Sequence, residues 1–221
     1  LFNALTKSGI AAENYPFCTI EPNIGIVEVP DARMQALADI VKPQRMQYAT
    51  TEFVDIAGLV AGASKGEGLG NQFLATIRET DGIVNVVRCF EDDNVVHVAG
   101  KVDPISDIAT IVTELALADL TTVEKAQERN VKLVRSGDKD AAKLGELLVQ
   151  VAACLNEGRP ARTLKLDPAQ RALLKPLCLL TMKPVMYVAN VAEKGFANNP
   201  LLTRVEEYAA HEGAPVVAIC A

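Results

Sequence analysis

Five short apolar runs, IGIVEV (24–29), TEFVDIA (51–57), GIVNVVRCF (82–90), PVMYVAN (184–190) and PVVAIC (215–220), constrain this chain most. Several are continuously apolar, where a strand with one wet face would alternate, which marks strands buried on both faces of a parallel sheet. Helical patterns separate them: DARMQALADIV (31–41), NQFLATIRE (71–79) and NNPLLTRVEEYAAHEG (198–213), the last opening on Asn-Pro and closing at Gly213. LFNALTKSG, at the first residues, has the form of a helix stopped by Gly9. Strand and helix alternate, so the expected class is α/β, with a wound and mostly parallel sheet.

One block interrupts the alternation. From Ile105 to Leu155 no strand pattern occurs, while Ile108, Val112, Leu115 and Val123, then Leu144, Leu148, Val151 and Leu155, recur at helical spacing on either side of SGD (136–138). This reads as an antiparallel helical hairpin. It serves equally as extra packing for the sheet or as a protruding arm with a charged tip, TVEKAQERN and SGDKDAAK. The resulting division is 1–104, 105–180 and 181–221.

With 221 residues, 49% of them hydrophobic, the chain can bury a sizeable core, and its formal net charge of −6 gives no global attraction for nucleic acid or anionic lipid. A local basic patch is compatible with that total. Cys18, Cys89, Cys154, Cys178 and Cys220 are odd in number and contain no CxxC pair, which fits reduced thiols in a cytoplasmic protein. Cys89 and Cys220 fall in strand patterns expected to bury them, and Cys18, between Phe17 and Thr19, is the expected reactive thiol or else a small packing residue. LLKPLCLLTMKPVMYVANV (173–191) is broken by two Lys-Pro pairs and is no membrane span.

The chemistry lies at strand ends. Asp55-Ile-Ala-Gly58 closes one apolar run, and four more glycines follow by residue 70. An acid at the carboxyl edge of a parallel sheet faces the crevice where such folds bind ligands. It can hold Mg²⁺ through water, while a glycine lets its N–H approach a terminal phosphate. Thr19, in NYPFCTIEPN (14–23), offers a hydroxyl to Mg²⁺ and an amide to the same phosphate. Asn190-Val-Ala-Glu193 and Ile219-Cys220-Ala221 end the last two apolar runs, where guanine-nucleotide proteins read the base. Each motif also has a plain reading as a turn, but their order and strand-end placement agree.

On these residues the chain resembles the Obg-like ATPase (YchF) family, within the translation-factor class of P-loop NTPases. NYPFCTIEPN, VDIAGLVAGASKGEGLGNQFL and ANVAEKG carry the resemblance, which runs over essentially all 221 residues, with 105–180 resembling that family's coiled-coil arm. It implies ATP hydrolysis to ADP and phosphate, Mg²⁺ (with K⁺ admitted as a further cation), and association with the ribosome. The large subunit is the expected contact there, RNA contact is admitted, and membrane is not a partner. It further implies nucleotide contacts from Thr19, Ile20, Glu21, Pro22, Asn23, Asp55, Gly58, Asn190, Val191, Glu193, Cys220 and Ala221, with Thr19 and Asp55 on the metal.

Three departures shape the expectation. Val191 stands where a base-packing lysine is usual, and Glu193 is one methylene longer than the aspartate that reads guanine, so relaxed or ATP-preferring recognition is expected, with backbone groups around Asn190, Val191 and Ala221 reading the base. Leu59 follows Gly58 where Ras-type GTPases place a water-positioning Gln, and a leucine can neither donate nor accept a hydrogen bond. His97, after the acidic EDDN, is the candidate to replace it, or else a plain surface or helix-start histidine. The family's phosphate loop, ending in Gly-Lys-Ser/Thr, and its C-terminal TGS-like domain are not among residues 1–221. Residues 1–221 alone are therefore expected to bind ATP very weakly and hydrolyse none. The competing expectation is a non-hydrolysing module that docks the translation machinery through its helical arm.

Overall fold

A computed structural model describes residues 1–7, 23–56, 69–92 and 102–221. They fall into two compact units: Leu1–Gly58 with Ala221, and Leu59–Cys220.

In the first unit, helix α1 (Phe2–Thr6) is followed by strand β1 (Asn23–Glu28), helix α2 (Ala32–Val41) and strand β2 (Thr50–Asp55). α1 closes at Lys7 in the left-handed conformation, φ 56°, before the glycine expected to stop it. β1 and β2 pair antiparallel, Asn23 opposite Asp55 and Glu28 opposite Thr50, and the bond from Val29 N–H to the Ala49 carbonyl (2.8 Å) extends the ladder. The alternation of strand and helix suggests a parallel crossover here, and the structure differs. A crossover helix buries one face on its sheet, whereas α2 buries no residue and is an excursion inside a long hairpin connection. Its start is fixed by Asp31, whose carboxylate accepts from the Arg33 N–H at 2.9 Å. β1 turns its glycine toward α1, since a Cβ at Gly25 would lie 2.2 Å from Thr6 Cγ2. Ile24 and Ile26, on its other face, are exposed.

The second unit holds a parallel sheet ordered β3 (Ile83–Arg88), β4 (Val185–Asn190), β5 (Val216–Ile219). Asn85, Val86, Val87 and Arg88 pair in sequence with Tyr187, Val188, Ala189 and Asn190, and Asn190 pairs onward with Ile219. One face, carrying Val87, Tyr187 and Ala189, packs with Ile108 and Val112 of α4 (Pro104–Arg135) and with Leu202, Val205 and Ala209 of α7 (Pro200–Glu212). On β3 the other face leaves Val84 and Val86 exposed, so burial on both faces holds for β4 but not for β3. α3 (Leu69–Glu79) begins two residues before the NQFLATIRE pattern.

α4 runs unbroken for 32 residues, started by Pro104 and by Asp103, whose carboxylate accepts from the Ile105 and Ser106 amides. Gly137, at φ 86°, takes the left-handed turn that returns the chain into α5 (Lys139–Asn156), capped by Asp138. The two helices form the expected hairpin, with Val123, Leu147, Leu148 and Val151 in a second core. This core also takes in Leu174 of α6 (Pro168–Leu174), a helix with a capping box between Asp167 and Gln170.

One buried and one half-buried carboxylate join the hairpin region to the rest of this unit. Asp119, fully buried on α4, accepts from Leu180 N–H (2.8 Å), Thr181 N–H (2.7 Å) and the Thr181 hydroxyl (2.7 Å), with Arg78 3.9 Å away. Desolvation raises its pKa, against the pull of these donors. Glu212, at the end of α7, accepts from Tyr187 (3.0 Å), Tyr208 (3.1 Å) and Arg162 (2.7 Å). The two tyrosine rings meet edge to face, 5.9 Å between centroids. No described helix is long and apolar enough to cross a membrane.

Candidate functional site

The sequence singled out strand ends, and the described ones lie in the two units separately. In the first, Asp55 is the last residue of β2 and Asn23 the first of β1, so the two are direct cross-strand partners. The antiparallel register places them at one end of the pair, with Asp55 exposed. Thr19, Ile20, Glu21, Pro22, Gly58, Leu59 and His97 lie outside the described residues, as does Cys18.

In the second unit, three parallel strands stop together. The ladder continues one step beyond the sheet: Cys89 N–H donates to the Asn190 carbonyl (2.7 Å), and Val191 N–H to the Ile219 carbonyl (2.8 Å). The chain after β3 folds back over Arg88, whose guanidinium donates to the carbonyls of Phe90 (3.0 Å) and Asp92 (3.1 Å) and lies 4.6 Å from the Phe90 ring centre.

From Asn190 the chain makes a tight loop. Gly195 N–H donates to the Ala192 carbonyl (2.7 Å), and a Cβ at Gly195 would sit 3.1 Å from Ala192 N and O. Asn199 then closes the loop. Its Oδ1 caps α7 by accepting from the Leu201 (3.0 Å) and Leu202 (3.2 Å) amides. Its Nδ2 donates to the Cys89 (2.9 Å) and Gly195 (3.0 Å) carbonyls.

This geometry divides the side chains by what they can touch. Val191 is 1% exposed and belongs to the core with Val87 and Val205, so only its main chain faces the loop. Glu193 is exposed, with its carboxylate at the surface. Cys89 is buried, and burial pushes its thiol up to about 11. Cys220, expected in a buried strand, is exposed: β5 is four residues long and Cys220 lies beyond its last ladder partner. Asn199, Arg88 and Gly195 were not singled out from the sequence. The only trace of the first was Asn-Pro, read there as a helix start.

Asp55 offers a hard oxygen ligand of the kind Mg²⁺ takes, and a Mg²⁺ site commonly needs one or two carboxylates beside water and phosphate oxygens. Among the described residues, no three acidic, histidine or cysteine side chains gather into an all-protein cage.

A parallel sheet whose strands β3, β4 and β5 stop together at a tight polar loop is the α/β arrangement in which ligands bind beyond the carboxyl ends of the strands. The family model described as "50S ribosome-binding GTPase" matches residues 1–125. The "Ribosome-binding ATPase YchF" of Haemophilus influenzae is 59% identical over 221 residues, all of this chain and 61% of that protein. That of Bacillus subtilis is 52% identical over 224 residues, again 61% of its length. The solved "Structure of the Schizosaccharomyces pombe YchF GTPase" superposes with a TM-score of 0.79 at 35% identity, covering 99% of this chain and 61% of that one. The chain belongs to the 50S ribosome-binding GTPase family, in its YchF branch. It spans about 61% of the length of the curated relatives it matches.

Proposed function

We propose that this chain is the nucleotide-binding part of a switch ATPase that hydrolyses ATP to ADP and phosphate with Mg²⁺, prefers ATP to GTP, and associates with the ribosome in the cytoplasm. Residues 1–104 and 181–221 form the nucleotide-binding domain in this reading, and 105–180 its inserted helical arm. Thr19 and Asp55 hold Mg²⁺, which supplies charge neutralisation on the phosphates. Gly58 approaches the terminal phosphate, and the segment Thr19–Asn23 responds to it. His97 takes the place left by Leu59 in orienting water. K⁺ is admitted as a second cation, and the large ribosomal subunit, including its RNA, as the docking surface.

The burial of Val191 carries the preference for ATP. Its side chain is committed to the core, so the base meets main-chain groups around Asn190 and Val191, with Cys220 and Ala221 following β5. Adenine presents an acceptor at N1 and a donor at its amine, which a main-chain N–H and carbonyl satisfy. A carboxylate clamp matches guanine instead. The names of the relatives support both the ATPase and the ribosome.

Calorimetric titration of the full-length protein with ATP and with GTP tests this, with ATP expected to bind more tightly. Equal or tighter GTP binding would overturn the preference. Unchanged turnover in His97→Ala would remove that residue from the reaction. Residues 1–221 contain no Gly-Lys-Ser/Thr motif of a phosphate loop. Charge-assisted hydrogen bonds contribute roughly 1.5–3 kcal/mol each, so this piece should bind ATP about three or more decades more weakly. Micromolar binding by it would refute that account.

The alternative is a non-hydrolysing module that docks the translation machinery through the hairpin. The long α4–α5 hairpin, with its charged turn, favours it. The same full-length protein showing ribosome binding without any ATP turnover would select it.

A further inference from the structure

Residues 159–183 differ in charge from the rest of the chain. Asp167 is their one acid, against Arg159, Arg162, Lys165, Arg171, Lys175 and Lys183, in a chain whose formal net charge is −6. Arg159 and Arg162 are already paired, with Glu157 and Glu212. Arg171, Lys175 and Lys183 instead line a groove of about 380 Å³ between α6 and the turns that follow it. Among the described residues no carboxylate lines this groove, and apart from Cys178 its wall is otherwise aliphatic, with Leu174, Leu179 and Met182 among its residues. Lys183 is held in place by donating to the Arg78 carbonyl (3.1 Å) and that of Thr80. Arg171 and Lys175 are exposed.

We propose that this groove docks an acidic, aliphatic peptide segment of a partner protein. Its volume is in the range of specific pockets, roughly 300–1,000 Å³. Its aliphatic wall accepts leucine- or isoleucine-sized side chains, and cations without a competing acid select carboxylates between them. Single-stranded nucleic acid would draw on the same cations, but its bases bind chiefly by stacking on aromatic rings. Among the described residues none lines this groove. The proposal is independent of what the strand-end loops bind.

The test is fluorescence anisotropy on the full-length protein, using a fluorescein-labelled peptide of alternating leucine and aspartate. Saturable binding is expected. Arg171→Glu with Lys175→Glu should weaken it about tenfold, because two exposed attractions become repulsions. Replacing the leucines by serine should abolish binding. A uridine oligonucleotide of equal charge should not compete. Cys178 lines the groove and is exposed, so saturating peptide should slow its alkylation while Cys220, also exposed, reacts at an unchanged rate. Absence of saturable binding, indifference to the charge reversal, unprotected Cys178, or displacement by the oligonucleotide would each overturn the proposal.

Discussion

The side-chain amide of Asn199 donates to the main-chain carbonyl of Cys89 at 2.9 Å, joining the end of β3 to the start of α7 across the loop that follows β4. The same side chain caps α7 and holds Gly195, so one residue fixes three chain segments. Its two functions separate by substitution. Asn199→Ala removes the cap, worth about 0.5–2 kcal/mol, together with both donated bonds. Asn199→Asp keeps the cap but sets a carboxylate against two carbonyls. Chemical denaturation should show both variants destabilised, with α7 still formed in Asn199→Asp by circular dichroism. In the full-length protein, Asn199→Asp should release nucleotide faster if this loop reads the base, and an unchanged off-rate would detach the loop from nucleotide binding.

Asp119 accepts from two amides and a hydroxyl, those of Leu180 and Thr181. Asp119→Ala strands them in the interior. The expected loss is about 3–5 kcal/mol, the range for removing one partner of a buried charged network. Thr181→Val removes one donor to Asp119 and the acceptor of the buried Ala161 N–H (3.1 Å), and should cost about 2 kcal/mol. Equilibrium urea unfolding of the two variants checks the ratio; equal losses would contradict this geometry.

Alkaline pH should weaken the fold. Burial raises the Cys89 thiol to about 11 and, with the neighbouring Glu212, the Tyr208 phenol to about 12; Tyr187 moves in the same direction. A group whose folded pKa is raised keeps its proton in the native state and loses it on unfolding, so its contribution is complete below the unfolded value and is lost as pH rises through the folded one. Unfolding free energy should therefore fall from about pH 9 for the thiol and about pH 10 for the phenols, over a window extending to about 12. Tyr208→Phe should make the decline shallower. A flat profile from pH 8 to 11 in denaturation experiments would count against this arrangement.

Native alkylation with mass-spectrometric readout should label Cys178 and Cys220 and spare Cys89 and Cys154. Cys154 is buried with its sulfur near the Arg159 carbonyl (3.4 Å), and structural buried thiols react slowly. Labelling of Cys154 ahead of Cys178 would show that the hairpin region opens more readily than its packing implies.

The strands were legible because their apolar runs are short and bounded by turn residues; β3, β4 and β5 lie within two residues of where the pattern placed them. The hairpin was legible from the spacing of Ile108, Val112 and Val123. The direction of β2 was not. A helix between two strands usually signals a parallel crossover, and nothing in ARMQALADIV reveals that it buries no residue. At the candidate site, Asn190 and Asp55 announced themselves as polar residues closing apolar runs. Asn199 did not, because a helix cap and a long-range tie use the same residue type, and only the fold shows the Cys89 carbonyl within reach. The exposure of Cys220 was hidden for a related reason: composition shows an apolar run but not where its ladder stops.

The unbroken course of α4 has a mechanical consequence. Its early residues Ile108 and Val112 share the core of the sheet, while Val123 and those beyond belong to the hairpin. At 1.5 Å rise per residue, its 32 residues span about 48 Å. A helix with no internal break turns as a rod, so a tilt of about 5° at the sheet would sweep the far end through about 4 Å, over that length at the same rise. Displacements too small to alter a hydrogen bond beside β4 thus arrive at the Gly137 turn as movements comparable to the width of a side chain.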